Sequence, residues 1–420
     1  MKRRSFAFGF PAVLLAALFM ALSITSCKPL SAPEESKNRP PAPTKVDERL
    51  VSANTEFALG LYKHLALEDE SKNICISPAS ISLALSMTYN GAHGDTKDAM
   101  AETLGLEGMT LDEVNEANKD LMSVLQNPDP KVELALANSI WARKGMNFKE
   151  EFMKGNESYY RAETRTLDFG RPDAPKAIND WVSKNTRGKI ERIVDKIDDR
   201  SVMFLINAVY FKGAWAAEFD PKRTENLPFI RPDGSKKPVP IMFRTGSYSY
   251  YEGEGFKAVR IPYGDGRIGM YVFLPDEGTG LSRFYERLDP SDWNLWIGSF
   301  SEKQGRVGLP RFKMEFGADL KEALSEMGMG IAFDEDRADF GLMCERMPGR
   351  NVYIAGVKHK TFIEVNEKGT EAAGSTSVEM GVTGVPTEAF DFMADRPFFF
   401  AIRDERTGAV LFMGSVNEPE

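Results

Sequence analysis

Cysteine and histidine are scarce in this chain of 420 residues, with three of each. So few thiols exclude a disulfide-stapled scaffold, and so few ligands argue against a structural zinc site. The three imidazoles, His64, His93 and His359, are scattered along the sequence. No GxSxG elbow, HExxH, CxxC or phosphate-binding loop accompanies them. Nothing here calls for catalysis, a metal or a cofactor, and the chain is read as a non-enzyme. Positive charge is also in short supply. Lys and Arg number 53 against 62 Asp and Glu, a formal charge of −9. The bases are interspersed with acids, which excludes the basic face expected of a nucleic-acid or polyanion binder.

What the chain does have is apolar residue, 42% of the total, enough to bury a substantial core. Residues 1–26 read as a targeting segment: Lys2, Arg3 and Arg4 form its charged start and residues 6–24 its apolar stretch. It closes on Ile24-Thr25-Ser26-Cys27, which resembles a bacterial lipobox. That resemblance implies an acylated Cys27 and a lipid-anchored protein of the bacterial cell envelope. Lys28 follows where an aspartate would signal inner-membrane retention, so the outer membrane is expected. Residues 27–47 form a proline-rich tether, and residues 48–420 one domain without internal repeats. Cys75 and Cys344 sit among apolar neighbours and are read as unpaired small hydrophobes rather than as a bridge.

Periodicity predicts helices over 48–67, from Pro78 to a break at Gly91, and over 109–126, 148–159, 281–296 and 320–327. Strands are predicted over 134–143, 201–220, 256–263, 266–275, 306–316 and 352–365, with two more about a charged turn in 392–416. The mixture places the chain in the α+β class.

Residues 365–386, VNEKGTEAAGSTSVEMGVTGVP, are small, polar and glycine-rich, the composition of a solvated surface loop. They also alternate. Thr370, Ala372, Gly374, Thr376, Val378, Met380 and Val382 carry no charge, whereas the intervening positions hold Glu371 and Glu379. Such segregation marks a strand with one buried face. Two readings stand on these residues alone, a plain loop and a segment with two homes.

Several stretches together resemble the serpin family. Residues 367–377 (EKGTEAAGSTS) are similar to its proximal hinge, and residues 73–106 follow NxxxSPxSxxxALxMxxxGAxGxT almost position for position. INAVYFKGAW and residues 392–402 match further family signatures, so the likeness runs from about residue 48 to 419. It implies a large central mixed sheet, smaller sheets, eight or nine helices and an exposed reactive-centre loop. In that family the loop is protease bait that, once cut, inserts into the central sheet and traps the acyl-enzyme. The hinge falls on Glu367, Gly369, Thr370, Glu371, Ala372, Ala373 and Gly374. Family spacing sets the scissile bond at Thr383–Gly384, with Met380, Val382 and Val385 as alternatives. Residues at and beneath the parting strands would be Ser77, Ser80, Asn207, Trp215 and His359, and residues 178–193 would cross the sheet face. Partners would be elastase-like and subtilisin-like proteases, whose pockets suit small or β-branched residues, with papain-like enzymes reading Val382. A monomer is expected. The alternatives are a non-inhibitory storage or binding serpin and, from another class, a lipoprotein hydrolase or glycan-binding module.

Overall fold

The computed structural model describes residues 45–126, 128–198, 200–345, 351–370 and 389–419. The targeting segment with Cys27 lies outside the described residues, as do Glu371, Ala372, Ala373, Gly374, Met380, Val382, Thr383, Gly384 and Val385. Asp47 caps α1 (Glu48–Glu68), its side chain accepting the Arg49 N–H. β1 (Ile74–Ile76) leads into α2 (Pro78–Tyr89), where Pro78 occupies the first turn and its missing N–H is harmless. α3 (Gly94–Leu104) stops at Gly105, which takes the left-handed conformation. A capping box between Thr110 and Glu113 starts α4 (Leu111–Leu125). Then come β2 (Val132–Arg143), α5 (Glu150–Tyr160), β3 (Glu163–Leu167), α6 (Ala174–Asn185) and β4 (Met203–Ala214). β5 (Glu225–Ile230), β6 (Lys236–Gly253), β7 (Phe256–Tyr263) and β8 (Ile268–Pro275) precede two short helices, α7 (Gly280–Glu286) and α8 (Pro290–Ser299). The chain ends with β9 (Ser301–Pro310), β10 (Phe312–Asp319), α9 (Lys321–Glu326), β11 (Lys358–Asn366), β12 (Gly369–Thr370), β13 (Phe390–Met393), β14 (Phe398–Asp404) and β15 (Val410–Val416).

These strands form two mixed sheets. The larger runs β1-β15-β14-β8-β7-β6-β9-β13, with β5 against β6. Its centre is almost wholly buried, and Phe399, Phe273, Phe284 and Trp296 pack there at ring separations of 5.3–5.9 Å. The smaller sheet runs β10-β11-β12-β4-β2-β3. Its inner face meets α2, where Leu83 and Met87 pack with Ile140 and Tyr160. Its outer face is covered by α6, where Ile178, Trp181 and Val182 meet Trp141, Ile206 and Ala208. Beyond α6 the chain continues as a strap. Asn179 clasps it, donating to the Val194 carbonyl at 2.7 Å and accepting from the Ile193 and Val194 amides at 2.9 and 3.0 Å.

Four predicted elements differ in the structure. The strand expected over 306–316 is two strands in different sheets, because the Arg311 amide donates to Pro240 at the crossing. The helix expected over 281–296 breaks before Pro290, where Asp289 accepts the Asp292 amide and starts α8 anew. The strand expected over 352–365 begins only at Lys358, since Ile354 donates to Ala332 and Val357 accepts from Leu320. The strand expected over 201–220 ends at Ala214, beyond which the Trp215 and Phe219 amides turn to the Lys368 and Glu367 carbonyls.

Candidate functional site at the parted sheet

The smaller sheet holds its unusual feature in the middle. β12 is only two residues long, yet it pairs with strands on both sides. Gly369 lies opposite Asn366 of β11 and Ala214 of β4, and Thr370 opposite Val365 and Gly213. Only glycine fits at 369: its φ is +142°, and a Cβ would run into the Gly213 carbonyl and the Ala214 Cα. Thr370 is 1% exposed and shares a 2.7 Å hydrogen bond with the Tyr263 hydroxyl. Tyr263 stacks on Trp215 at 4.3 Å, and the Trp215 indole N–H donates to the Asn366 carbonyl at 2.9 Å. The backbone amides of Trp215 and Phe219 bind the carbonyls of Lys368 and Glu367, each at 2.9 Å.

Glu367 completes this anchorage. Arg311 Nε donates to its two oxygens at 2.7 and 2.9 Å, and Thr224 Oγ1 donates at 2.6 Å. Burial alone would raise the carboxyl's pKa, but the Arg311 and Thr224 hydrogen bonds outweigh it and hold the group below its usual range. The returning end of the loop is fixed separately. β13 runs parallel to β9, Phe390 stacks on Tyr250 at 4.1 Å, and a Cβ on Gly305 would collide with the Phe390 ring.

Below β12 no register joins β4 to β11 among the described residues. A slot separates them, and its lower part opens into a cavity of about 510 Å³ lined by Ser80, Ala84, Leu205, Asn207, Val357 and His359. On the β11 edge, the Ser77 amide donates to His359 Nε2 at 3.1 Å, and Ser77 Oγ to the Leu411 carbonyl at 2.8 Å. Burial pushes the His359 pKa down to about 4, so the ring is neutral near pH 7. With Nε2 accepting, Nδ1 carries the proton. On the β4 edge, Ser80 Oγ donates to Asn207 Oδ1, and Asn207 Nδ2 to Asn138 Oδ1 at 2.6 Å. Among the described residues no hydrogen bond links His359 to Asn207 across the slot.

Of the residues singled out from the sequence, Glu367, Gly369, Thr370 and Trp215 meet at the top of the slot. Ser77 with His359, and Ser80 with Asn207, divide between its two edges. Tyr263, Arg311, Thr224 and Asn138 were not foreseen. Each is brought in by long-range pairing and carries no local motif. Cys75 and Cys344 are free and buried, and burial pushes the Cys75 thiol up to about 12.

A family model described as Serpin (serine protease inhibitor) matches residues 52–419. Human Serpin B8 is 35% identical over 380 residues, covering 88% of this chain and 99% of the relative. Human leukocyte elastase inhibitor is 34% identical over 385 residues, covering 89% and 100%. Among solved structures, the native state of a thermophilic serpin, tengpin, aligns with a TM-score of 0.82 at 32% identity, covering 89% of this chain and 95% of that one.

Proposed function

The chain belongs to the serpin family, and on that premise we propose that it is a suicide inhibitor of elastase-like and subtilisin-like proteases. The protease's nucleophile attacks the Thr383 carbonyl, Gly384 leaves as the new amine, and an acyl-enzyme forms on Thr383. The freed arm then zips into the slot below Thr370 and carries the protease with it before water can deacylate the ester.

One observation supports this reading above the others: β12 already occupies the top of a slot whose two edge strands are not paired with each other below it among the described residues. Continuing both registers residue by residue sets Ala372 opposite Ile363 and Phe211, and Gly374 opposite Thr361 and Val209. Thr376 then meets His359 on one side and Asn207 on the other. Ile363, Thr361, His359 and Phe211 are buried, so the uncharged even positions of the arm would face inward. Small side chains there match the tight interior. The Thr376 hydroxyl can donate to Asn207 Oδ1 and accept from His359 Nδ1, a pairing open to a group that does both. Each new backbone pair would add hydrogen bonds that the two edges do not make to each other among the described residues, and the intact protein would be metastable.

A non-inhibitory role would tolerate bulky or charged residues over 370–377, and this chain has a charge only at Glu371, a position that the continued register would turn outward. The absence of Lys and Arg from residues 369–395 excludes cutting by trypsin-like pockets, while Val382 and Thr383 suit smaller ones. Mixing the domain from residue 48 with subtilisin is expected to give an SDS-stable band at the summed mass. Mass spectrometry of the released C-terminal peptide should begin it at Gly384 or within residues 381–386. Cleavage before Glu379 or beyond Pro386, or a protease left fully active at equimolar inhibitor, would refute the assignment.

A further inference from the structure

The β4 edge of the slot does not end at Asn207. Its amide is the last member of a chain of hydrogen bonds, buried at its centre and half-buried at its ends, that reaches three helices. Asn207 donates to Asn138 on β2 at 2.6 Å, and Asn138 donates to the Tyr160 carbonyl at the end of α5 at 2.7 Å. Tyr160 is fully buried among Leu83, Met87 and Ile140, and its hydroxyl donates to Asn115 Oδ1 of α4 at 2.8 Å. Asn115 and Asn90, at the end of α2, exchange amide hydrogen bonds of 2.8 and 3.1 Å. Asn90 also donates to the Ser86 carbonyl at 3.1 Å.

The chain has a fixed polarity. A backbone carbonyl can only accept, so Asn138 must turn its NH₂ toward Tyr160 and its oxygen toward β4. Asn207 must then present its NH₂ to Asn138, which leaves Oδ1 as an acceptor on the side of Ser80 and the slot. The rigid Tyr160 side chain links this arrangement to the helices: gripping its hydroxyl fixes where its carbonyl stands. Buried polar networks of this kind are costly when one member is lost, because the remaining groups are left unpaired.

We propose that Tyr160, Asn115 and Asn90 are positioning residues for strand insertion, holding Asn207 in the one orientation that receives the arriving arm. The inference rests on the proposed insertion but concerns residues that never touch the arm. It makes the packing of α4 and α5, remote from the reactive loop, a determinant of how fast the slot fills.

The test uses the uncleaved domain from residue 48 and an acetylated synthetic peptide of residues 371–383, which begins where the chain's own β12 ends. Its annealing into the slot is followed by native gel. Tyr160→Phe keeps the ring and the carbonyl and removes only the hydroxyl. It should anneal the peptide about fivefold more slowly, the rate equivalent of one hydrogen bond at about 1 kcal/mol. Clipping of its loop by subtilisin should proceed at the wild-type rate, while more inhibitor is consumed per protease trapped. Asn207→Ala should also slow annealing, and the double variant should be no slower than Asn207→Ala alone, because the relay acts through Asn207. An unchanged or faster rate in Tyr160→Phe, multiplicative effects in the double variant, or a wild-type slot that takes no peptide would overturn the proposal. A wild type that anneals the peptide but never traps subtilisin would refute only the inhibitory function, leaving the relay to be judged on annealing rates.

Discussion

Thr370→Arg is expected to convert the inhibitor into a substrate: subtilisin should clip the loop at an undiminished rate, and the SDS-stable complex should disappear. Thr370 is 1% exposed, inside the sheet, with its hydroxyl on Tyr263 and Trp215 stacked beyond it. Among the described residues the hinge acid Glu367 is already taken by Arg311 and Thr224, so a guanidinium in that position finds no free hinge carboxylate there. Burying it unpaired costs several kcal/mol, so the intact variant would keep residue 370 out of the sheet and meet that cost only when the cut arm inserts. Even about 3 kcal/mol on the insertion barrier slows zipping roughly a hundredfold, enough for deacylation to win. The variant's arm would stay outside, so the clipped form should melt where the intact form does. A persistent covalent complex in Thr370→Arg would contradict the insertion mechanism.

His359 provides the second large effect. Its folded pKa, about 4, lies below the usual histidine value because burial disfavours the charged ring. The unfolded chain therefore binds more protons than the folded one between pH 6.5 and 4. Stability is fully present above about pH 6.5 and falls as the pH drops through that window, by about 3 kcal/mol at its lower end. The loss should appear as a lower melting midpoint at pH 4.5 than at pH 7.5. It should largely vanish in His359→Gln, whose side chain can still accept the Ser77 amide. An identical pH dependence in the two proteins would place the acid sensitivity elsewhere.

Much of this was legible in the sequence for identifiable reasons. Of the alternation beginning at Thr370, only Thr370 itself lies among the described residues, and it is found buried. Gly369 occupies a position that rejects any side chain, a demand that a hinge sequence displays locally. The helices that begin at Pro78 and Leu111 carry their own start signals in Pro78 and in the Thr110–Glu113 box. The break before Pro290 is likewise readable from the proline, although apolar spacing on either side suggests one continuous helix. Other features have no local signature. Nothing around Arg311 distinguishes it from a residue within a single strand. Its crossing between sheets and its hold on Glu367 arise from pairing with Pro240 and from a contact 56 residues away. Tyr263 and Asn138 are similar, ordinary strand residues until the sheet brings Thr370 and Asn207 to them. Local chemistry marks where the chain must be small or capped, whereas tertiary pairing decides which polar groups meet.

The most direct test of the account is the melting temperature of the protein before and after its loop is cut by a catalytic amount of subtilisin. Insertion of the freed arm would pair β4 and β11 along their length, so the clipped form should melt far above the intact form. Equal or lower melting after a confirmed cut between Met380 and Pro386 would mean that the slot takes no strand, and the inhibitory mechanism would fall with it.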